Sequence, residues 1–263
     1  MVNNILELTN LSLPFAFKNL SISFQDNTFI TISGPNNCGK TTLIKILGGI
    51  NITNNNVFLF SNELATYKQS ELTKIMCTII PERIEFSFPT LEDELNYLVY
   101  KNYIRKNDIN PNNILKSLGL TKILKKELNK ISINDQIKCI LALAMIKKVK
   151  IILLDDILKN FSNNDRKKII NILLEYKKRE KAMIIMTISN LEDSLYSDYL
   201  YIIDNEKIIL KGAPLDVLEK DNILNKLGLE LPFMLDLSVK LRDYDLISAL
   251  ELDQERLVDK LWN

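Results

Sequence analysis

A short loop between a predicted strand and a predicted helix constrains the fold of this chain more than any other segment. Residues 34–41 read Gly-Pro-Asn-Asn-Cys-Gly-Lys-Thr, which fits the phosphate-loop pattern G-x-x-x-x-G-K-[ST]. Apolar residues 28–33 predict a strand before the loop, and residues 41–47 have helical spacing after it. Glycine lets backbone N–H groups approach phosphate oxygens, and a helix start adds positive potential. The segment therefore predicts a phosphate-binding loop; the alternative is a glycine turn that binds no anion.

The residues of this loop are expected to have different roles in binding a nucleoside triphosphate. Lys40 would neutralise the charge of the β- and γ-phosphates, and the Thr41 hydroxyl would ligate Mg²⁺. Cys38 is expected to contribute its backbone N–H. The predicted nucleotide-binding residues are Gly34, Pro35, Asn36, Asn37, Cys38, Gly39, Lys40, Thr41 and Thr42.

Two carboxylates follow a strongly apolar stretch later in the chain. Residues 150–156 read Lys-Ile-Ile-Leu-Leu-Asp-Asp. In open α/β sheets, ligands bind outside the carboxyl ends of the strands. We therefore expect Asp155 to face the phosphate loop and hold Mg²⁺, and Asp156 to lie near the γ-phosphate, where a carboxylate polarises the attacking water. The alternative is a solvated strand end with no ligand.

The composition excludes several other kinds of chemistry. The chain has no His, which excludes Ser-His-Asp and Cys-His nucleophiles and His-zinc sites. Its three Cys are scattered and odd in number, which favours a reducing cytosol over a disulfide framework. The net charge of +1 disfavours a strongly basic nucleic-acid binder. No apolar run approaches the roughly 18 residues that a membrane-spanning helix needs.

Strands and helices are predicted to alternate up to about residue 211, which indicates an α/β fold with a largely parallel sheet. Residues 83–146 are predicted to be nearly all helical, and short helices follow Gly212. The predicted strands are 5–9, 20–24, 28–33, 57–60, 75–80, 150–155, 182–187, 200–204 and 207–211, and the predicted helices are 41–47, 91–103, 112–118, 133–146, 163–178 and 191–197.

These motifs, in this order, resemble an ATP-binding cassette (ABC) ATPase. Residues 89–94, Pro-Thr-Leu-Glu-Asp-Glu, are similar to the P-T-V-E-D-E stretch of transporter cassettes. The tail resembles the C-terminal module of energy-coupling factor transporter ATPases, through Gly-Leu-Glu-Leu-Pro-Phe at 228–233, Leu-Arg at 241–242 and Leu-Val-Asp-Lys-Leu-Trp at 257–262.

The resemblance implies a P-loop NTPase fold of the ABC type, with a parallel-sheet core, an antiparallel β part and a helical subdomain. The nucleotide-binding domain would cover residues 1–211, with the helical subdomain at about 83–146. A small helical dimerisation extension would cover residues 212–263.

The resemblance also implies a function and partners. The chain would bind ATP and Mg²⁺ and couple hydrolysis to import of a vitamin or metal ion. It would pair with a second ABC ATPase subunit, most simply a paralogue, beneath a membrane scaffold subunit that carries a substrate-binding membrane component. This places it peripherally on the cytoplasmic face of the cell membrane, with no nucleic-acid partner.

The chain departs from the family pattern at positions that serve hydrolysis. The signature L-S-G-G-Q aligns with residues 131–135, where Ser132 is kept and Asn134 and Asp135 replace Gly and Gln. The catalytic Glu position holds Asp156, whose carboxylate falls short by roughly 1 Å, and such a misplacement costs on the order of 10²-fold in rate. The switch His position holds Ser189, which cannot carry positive charge.

Three further positions differ from the family or are open. The Asp of the loop after the acidic strand aligns with Ser162, and the lid Gln aligns with Ile80, with Glu82 close enough to contribute a carboxylate. The aromatic residue that stacks on adenine would be Phe15 or Phe17, although a core position is the favoured alternative for either.

Three functions compete on this evidence. The first is the transport ATPase subunit, and the second is a slow or non-hydrolysing ATP-binding subunit that structurally or allosterically supports a competent partner. The third is a cassette protein that acts on DNA or ribosomes. The near-neutral charge and the tail at 228–233 disfavour the third.

Overall fold

Ten β-strands form in the part of the chain that a computed structural model describes, which comprises residues 4–14, 16–50, 56–101 and 111–262. They are β1 (Asn4–Leu13), β2 (Phe17–Gln25), β3 (Phe29–Ser33), β4 (Val57–Leu59), β5 (Asn62–Glu63), β6 (Met76–Ile79), β7 (Ile151–Asp155), β8 (Met183–Thr187), β9 (Tyr199–Asp204) and β10 (Lys207–Gly212).

The strands make one mainly parallel sheet and one antiparallel sheet. The first has the order β10-β9-β3-β8-β7-β6, and the second has the order β2-β1-β4-β5. All neighbours in the first sheet are parallel except β9 and β10, which form a hairpin. The predicted α/β class, with a parallel-sheet core and an antiparallel β part, is confirmed.

Ten α-helices surround the sheets in the described ranges. They are α1 (Lys40–Leu47), α2 (Gln69–Ile75), α3 (Leu91–Tyr100), α4 (Pro111–Ser117), α5 (Ile133–Ile146), α6 (Asn163–Glu180), α7 (Pro214–Leu218), α8 (Asp221–Lys226), α9 (Phe233–Asp243) and α10 (Gln254–Trp262). No helix among these is long and apolar enough to cross a lipid bilayer.

The predicted strands all lie within or beside observed strands, and the main differences concern short helices. Residues 191–197 were predicted as a helix, and Leu191–Tyr196 forms a 3-10 helix. Helix α2 was not predicted, because Leu72 is its only buried residue and seven residues are too few to show a helical period. Helix α3 ends at Tyr100, and the last predicted residues of that helix, 102–103, lie outside the described residues.

The sequence of strand β7 is a continuous apolar run because the strand is buried on both faces of the sheet. Its five residues are all buried, and successive side chains enter opposite faces of the sheet. Ile151 and Leu153 join the core that contains α1 and the antiparallel sheet. Ile152 and Leu154 join the core that contains α5 and α6. The carboxyl end of β7 is therefore held from both faces.

The helices after Gly212 pack into the larger of these two cores. Leu218 of α7, Leu224 of α8 and Leu235 of α9 are fully buried in the same apolar cluster as α5 and α6. The C-terminal residues are thus helical, as predicted, and part of them completes the interior of the preceding domain.

A buried ion pair connects α6 to the segment that follows β8. Arg166 of α6 donates through Nη2 to Oδ2 of Asp193 in the 3-10 helix Leu191–Tyr196. The side chains are only 14% and 8% exposed. Removal of one partner would leave an uncompensated charge in a poorly hydrated place.

We expect Arg166→Ala to lower the free energy of unfolding by about 3 kcal/mol, because it leaves the Asp193 carboxylate buried and unpaired. Urea denaturation followed by circular dichroism measures this. The control is Lys168→Ala, which removes the exposed ion pair to Asp165 and should cost less than about 1 kcal/mol. Equal losses in the two variants would contradict the structural role of the buried pair.

Candidate phosphate-binding site

The predicted phosphate loop lies between the end of β3 and the start of α1, and two of its positions require glycine. A Cβ atom on Gly34 would lie 2.1 Å from the carbonyl oxygen of Ile203 in β9. Gly39 has a φ of 101°, and a Cβ atom there would lie 3.0 Å from Cζ of Phe17. Close packing against β9 at Gly34, and the positive φ at Gly39, therefore disfavour any larger residue at these two positions.

Lys40 is the first residue of α1 and folds back over the loop. Its Nζ donates to the carbonyl oxygens of Gly34, at 2.6 Å, and Pro35, at 2.8 Å. It also lies 3.7 Å from the thiol sulfur of Cys38. The backbone N–H of Cys38 donates to the Pro35 carbonyl at 3.4 Å, so in this conformation it closes a turn and does not face outward.

Asp155 ends β7 opposite the loop, and a threonine that no sequence motif indicated holds it. Asp155 and Thr187 are register partners at the carboxyl ends of β7 and β8. Thr187 Oγ1 donates to Asp155 Oδ1 at 2.8 Å, and it accepts the backbone N–H of Asp156 at 2.8 Å. Adjacent parallel strands that both end in a polar residue were the only sequence signal for this contact.

Asp156 follows with a φ of 43°, which turns its side chain away from the line of the strand. Ser189 Oγ donates to Asp156 Oδ1 at 3.1 Å. Burial raises the pKa of the Asp156 carboxyl above its ordinary value; the hydrogen bond from Ser189 and the charge of Lys159 oppose this rise, while the charge of Asp155 adds to it. The predicted switch residue and the predicted catalytic residue are therefore in direct contact.

One cleft of about 450 Å³ brings the loop and both carboxylates together. Its residues offer what a nucleoside triphosphate with Mg²⁺ needs, namely backbone N–H groups, ammonium groups, a hydroxyl and hard carboxylate oxygens. The lining residues are Asn36, Asn37, Gly39, Lys40, Thr41, Thr42, Pro81, Glu82, Asp155, Asp156, Lys159, Asn160 and Thr187.

Of the residues predicted for the lid and for adenine stacking, one lines the cleft and two are buried in the core. Glu82 lines the cleft, whereas Ile80 is buried at 4% exposure. Phe17 is 1% exposed and packs beneath Gly39, so it is a core residue and cannot stack on a base. Phe15 lies outside the described residues.

The degenerate signature lies at the start of α5, beside the loop that follows β7. Ser132 is the N-cap and accepts the backbone N–H of Asp135 at 3.2 Å. Asn134 Nδ2 donates to the carbonyl oxygen of Asn160 at 3.1 Å, which ties the start of α5 to the loop after β7. None of Ser132, Asn134 and Asp135 is among the residues that line the described phosphate-loop cleft. The signature residues thus lie beside the cleft, in contact with its lining residue Asn160, but do not line it themselves.

A family model described as "ABC transporter" matches residues 17–159, which is more than half of the 263-residue chain. The matched segment contains the glycine loop, Glu82, both carboxylates and Lys159. The residues that the geometry places around the cleft are thus almost all within the family match; Thr187 and Asn160 lie beyond it.

Individual relatives agree with this match. The chain is 23% identical over 269 residues to the energy-coupling factor transporter ATP-binding protein EcfA1 of Mycoplasmoides gallisepticum, covering 98% of this chain and 96% of the relative. It is 28% identical to the zinc import ATP-binding protein ZnuC of Wolbachia pipientis wMel, covering 86% and 89%. Among solved structures, cbiO1 of Clostridium perfringens, part of the ABC transporter complex cbiONQ, has a TM-score of 0.68 at 20% identity, covering 88% of this chain and 96% of that one.

We expect Lys40→Ala to weaken binding of Mg-ATP by at least about 100-fold, because charge-assisted hydrogen bonds to phosphate are lost. Isothermal titration calorimetry with the full-length chain measures the affinity. Lys148→Ala removes a lysine that does not line the described cleft and serves as the control, with affinity unchanged. Undiminished binding by Lys40→Ala would contradict the assignment of the loop.

Proposed function

The chain belongs to the ABC transporter family, and on that premise we propose that it is the ATP-binding subunit of an energy-coupling factor-type transporter that imports a vitamin or a metal ion. Family membership makes it an ABC ATPase subunit of a transporter. Relatives in other import systems, such as the zinc import protein above, match the chain as well. Family membership alone therefore does not distinguish the energy-coupling factor type from other import systems.

The C-terminal module, residues 212–263, supports the energy-coupling factor type. The segment Gly-Leu-Glu-Leu-Pro-Phe at 228–233 leads into α9, and Phe233 at the start of α9 is 76% exposed. Further large apolar residues are exposed in the same module, namely Tyr244, Leu246, Val258 and Leu261. Exposed aromatic and aliphatic side chains of this kind are typical of a protein–protein interface. The EcfA1 relative covers nearly the whole chain, including this module, which supports the proposal.

The cleft supports distinct roles for its residues. Lys40 and the loop bind the phosphate chain, and Thr41 with Asp155 would hold Mg²⁺, which when bound neutralises phosphate charge. Thr187 fixes the orientation of Asp155 through its 2.8 Å hydrogen bond. Asp156 accepts a proton from the attacking water, and its raised pKa suits a general base better than an ordinary Asp would. Ser189 orients the Asp156 carboxylate.

The partners follow from the proposed type of transporter. A second ABC ATPase, most simply a paralogue, would bring its signature to the Lys40 cleft and would contact the C-terminal module. A membrane scaffold subunit with a substrate-binding membrane component would hold the dimer on the cytoplasmic face of the membrane. The chain itself would then be a peripheral subunit.

A second candidate function is favoured by the altered hydrolytic residues. Asn134 at the start of α5 is held by Asn160, and its Oδ1 is buried without a hydrogen-bond partner among the described residues. Ser189 replaces an ionisable side chain beside Asp156, and Asp156 is one methylene short. A subunit of this kind would bind ATP, close on a competent partner and turn over slowly.

We expect Asp156→Glu to raise the ATPase rate of the assembled complex by about 10-fold or more, because the longer side chain restores the carboxylate position. Steady-state phosphate release measures the rate. The control is Asp156→Asn, which should retain ATP affinity and lose turnover. An ATPase rate in Asp156→Glu that is equal to or lower than that of the unaltered chain would mean that the signature or Ser189 limits hydrolysis. It would support the second candidate function.

We expect Phe233→Asp to release the partner subunits, because a charge would enter an apolar interface. The full-length tagged chain is purified in detergent from membranes of its own host, and mass spectrometry identifies the bound proteins. The unaltered chain should carry a second cassette ATPase and multispanning membrane proteins. Ile209→Asp, on an exposed residue of β10, is the control and should retain them. A complex without a membrane-embedded substrate-binding component would contradict the energy-coupling factor type and leave family membership intact.

A further inference from the structure

We propose that Lys159 is a second phosphate-binding cation of the cleft and makes it prefer a nucleoside triphosphate over a diphosphate. The inference rests on the proposed ATP-binding function and adds a residue to that site. It concerns a position three residues after Asp156, where the chain turns away from the carboxyl end of β7.

The local backbone directs Lys159 toward the cleft. The backbone N–H of Lys159 donates to the carbonyl oxygen of Asp156 at 3.3 Å, so a tight turn follows the second carboxylate. The side chain lines the same cleft as Lys40 and Thr41. Its positive charge opposes the rise in the pKa of the Asp156 carboxyl.

Of the two lysines that line the described cleft, Lys159 is the one whose ammonium group is not already hydrogen-bonded within the chain. Lys40 donates two hydrogen bonds to carbonyl oxygens of its own loop. The Lys159 side chain makes no hydrogen bond and no ion pair within 4.0 Å to any residue in the described part of the chain. Lysine is strongly hydrated and mobile when unpaired, and a phosphate oxygen is a strong acceptor for its ammonium group.

The balance of charge in the cleft gives this cation a role. Three carboxylates line the cleft, from Glu82, Asp155 and Asp156, against two ammonium groups. Ser189, which contacts Asp156, supplies a hydrogen bond but no positive charge. A nucleoside triphosphate brings more negative charge to the Asp156 side of the cleft than a diphosphate does. Without Lys159, Lys40 would be the one ammonium group that lines the described cleft, against three carboxylates.

The test compares Mg-ATP and Mg-ADP affinities of the full-length chain by isothermal titration calorimetry. We expect Lys159→Ala to weaken Mg-ATP binding by about 10-fold and Mg-ADP binding by less than about 2-fold, because only the terminal phosphate is contacted. Lys159→Arg should restore most of the Mg-ATP affinity. Lys178→Ala, on the exposed face of α6, is the matched control and should change neither affinity. Circular dichroism melting of each variant checks folding.

Several results would overturn the inference. Unchanged Mg-ATP affinity in Lys159→Ala would do so, as would equal losses for Mg-ATP and Mg-ADP. In each of these cases, loss of binding by Lys40→Ala would leave the proposed nucleotide site standing. If the unaltered chain binds neither nucleotide, the proposed function and this inference both fail.

Discussion

The hydroxyl of Thr187 is the point on which the geometry of the site depends. It donates to the Asp155 carboxylate and accepts the backbone N–H of Asp156, so one buried side chain fixes the carboxylate of Asp155 and the backbone of Asp156. This works because β7 and β8 are parallel neighbours in register, and both faces of the sheet are covered by apolar cores. The loop before α1 meets these carboxylates across the cleft because β3 ends at the same edge of the sheet as its neighbour β8.

How much of this was predictable depends on whether the information is local in the chain. The glycine loop and the Asp pair are short patterns with their own physical causes, and in the structure they line one cleft. Thr187 and Lys159 were not identified, because their roles arise only when separate strands and a turn meet at one cleft. The core position of Phe17 was favoured from sequence, but its contact with Gly39 needed the three-dimensional packing.

This chain keeps the residue pattern for phosphate binding better than the pattern for hydrolysis. The phosphate loop has both glycines that its packing demands, and the cleft holds hard oxygen ligands beside them. In contrast, the start of α5 carries side chains where the family has glycines, and Asn134 is engaged with Asn160 inside the same chain. The phosphate loop and Asp155 thus keep the family pattern, whereas the positions of the catalytic Glu, the switch His and the signature have changed.

The helices that follow Gly212 place their apolar side chains in the interior shared with α5 and α6. These helices therefore do not form an independent domain that could be moved to another protein. Exchanging residues 214–243 between paralogous subunits would require the incoming side chains to match the volumes left by Leu218, Leu224 and Leu235. The exposed face that we propose for partner binding and the packing that keeps the cassette folded must therefore diverge together during evolution, since one short stretch of sequence encodes both.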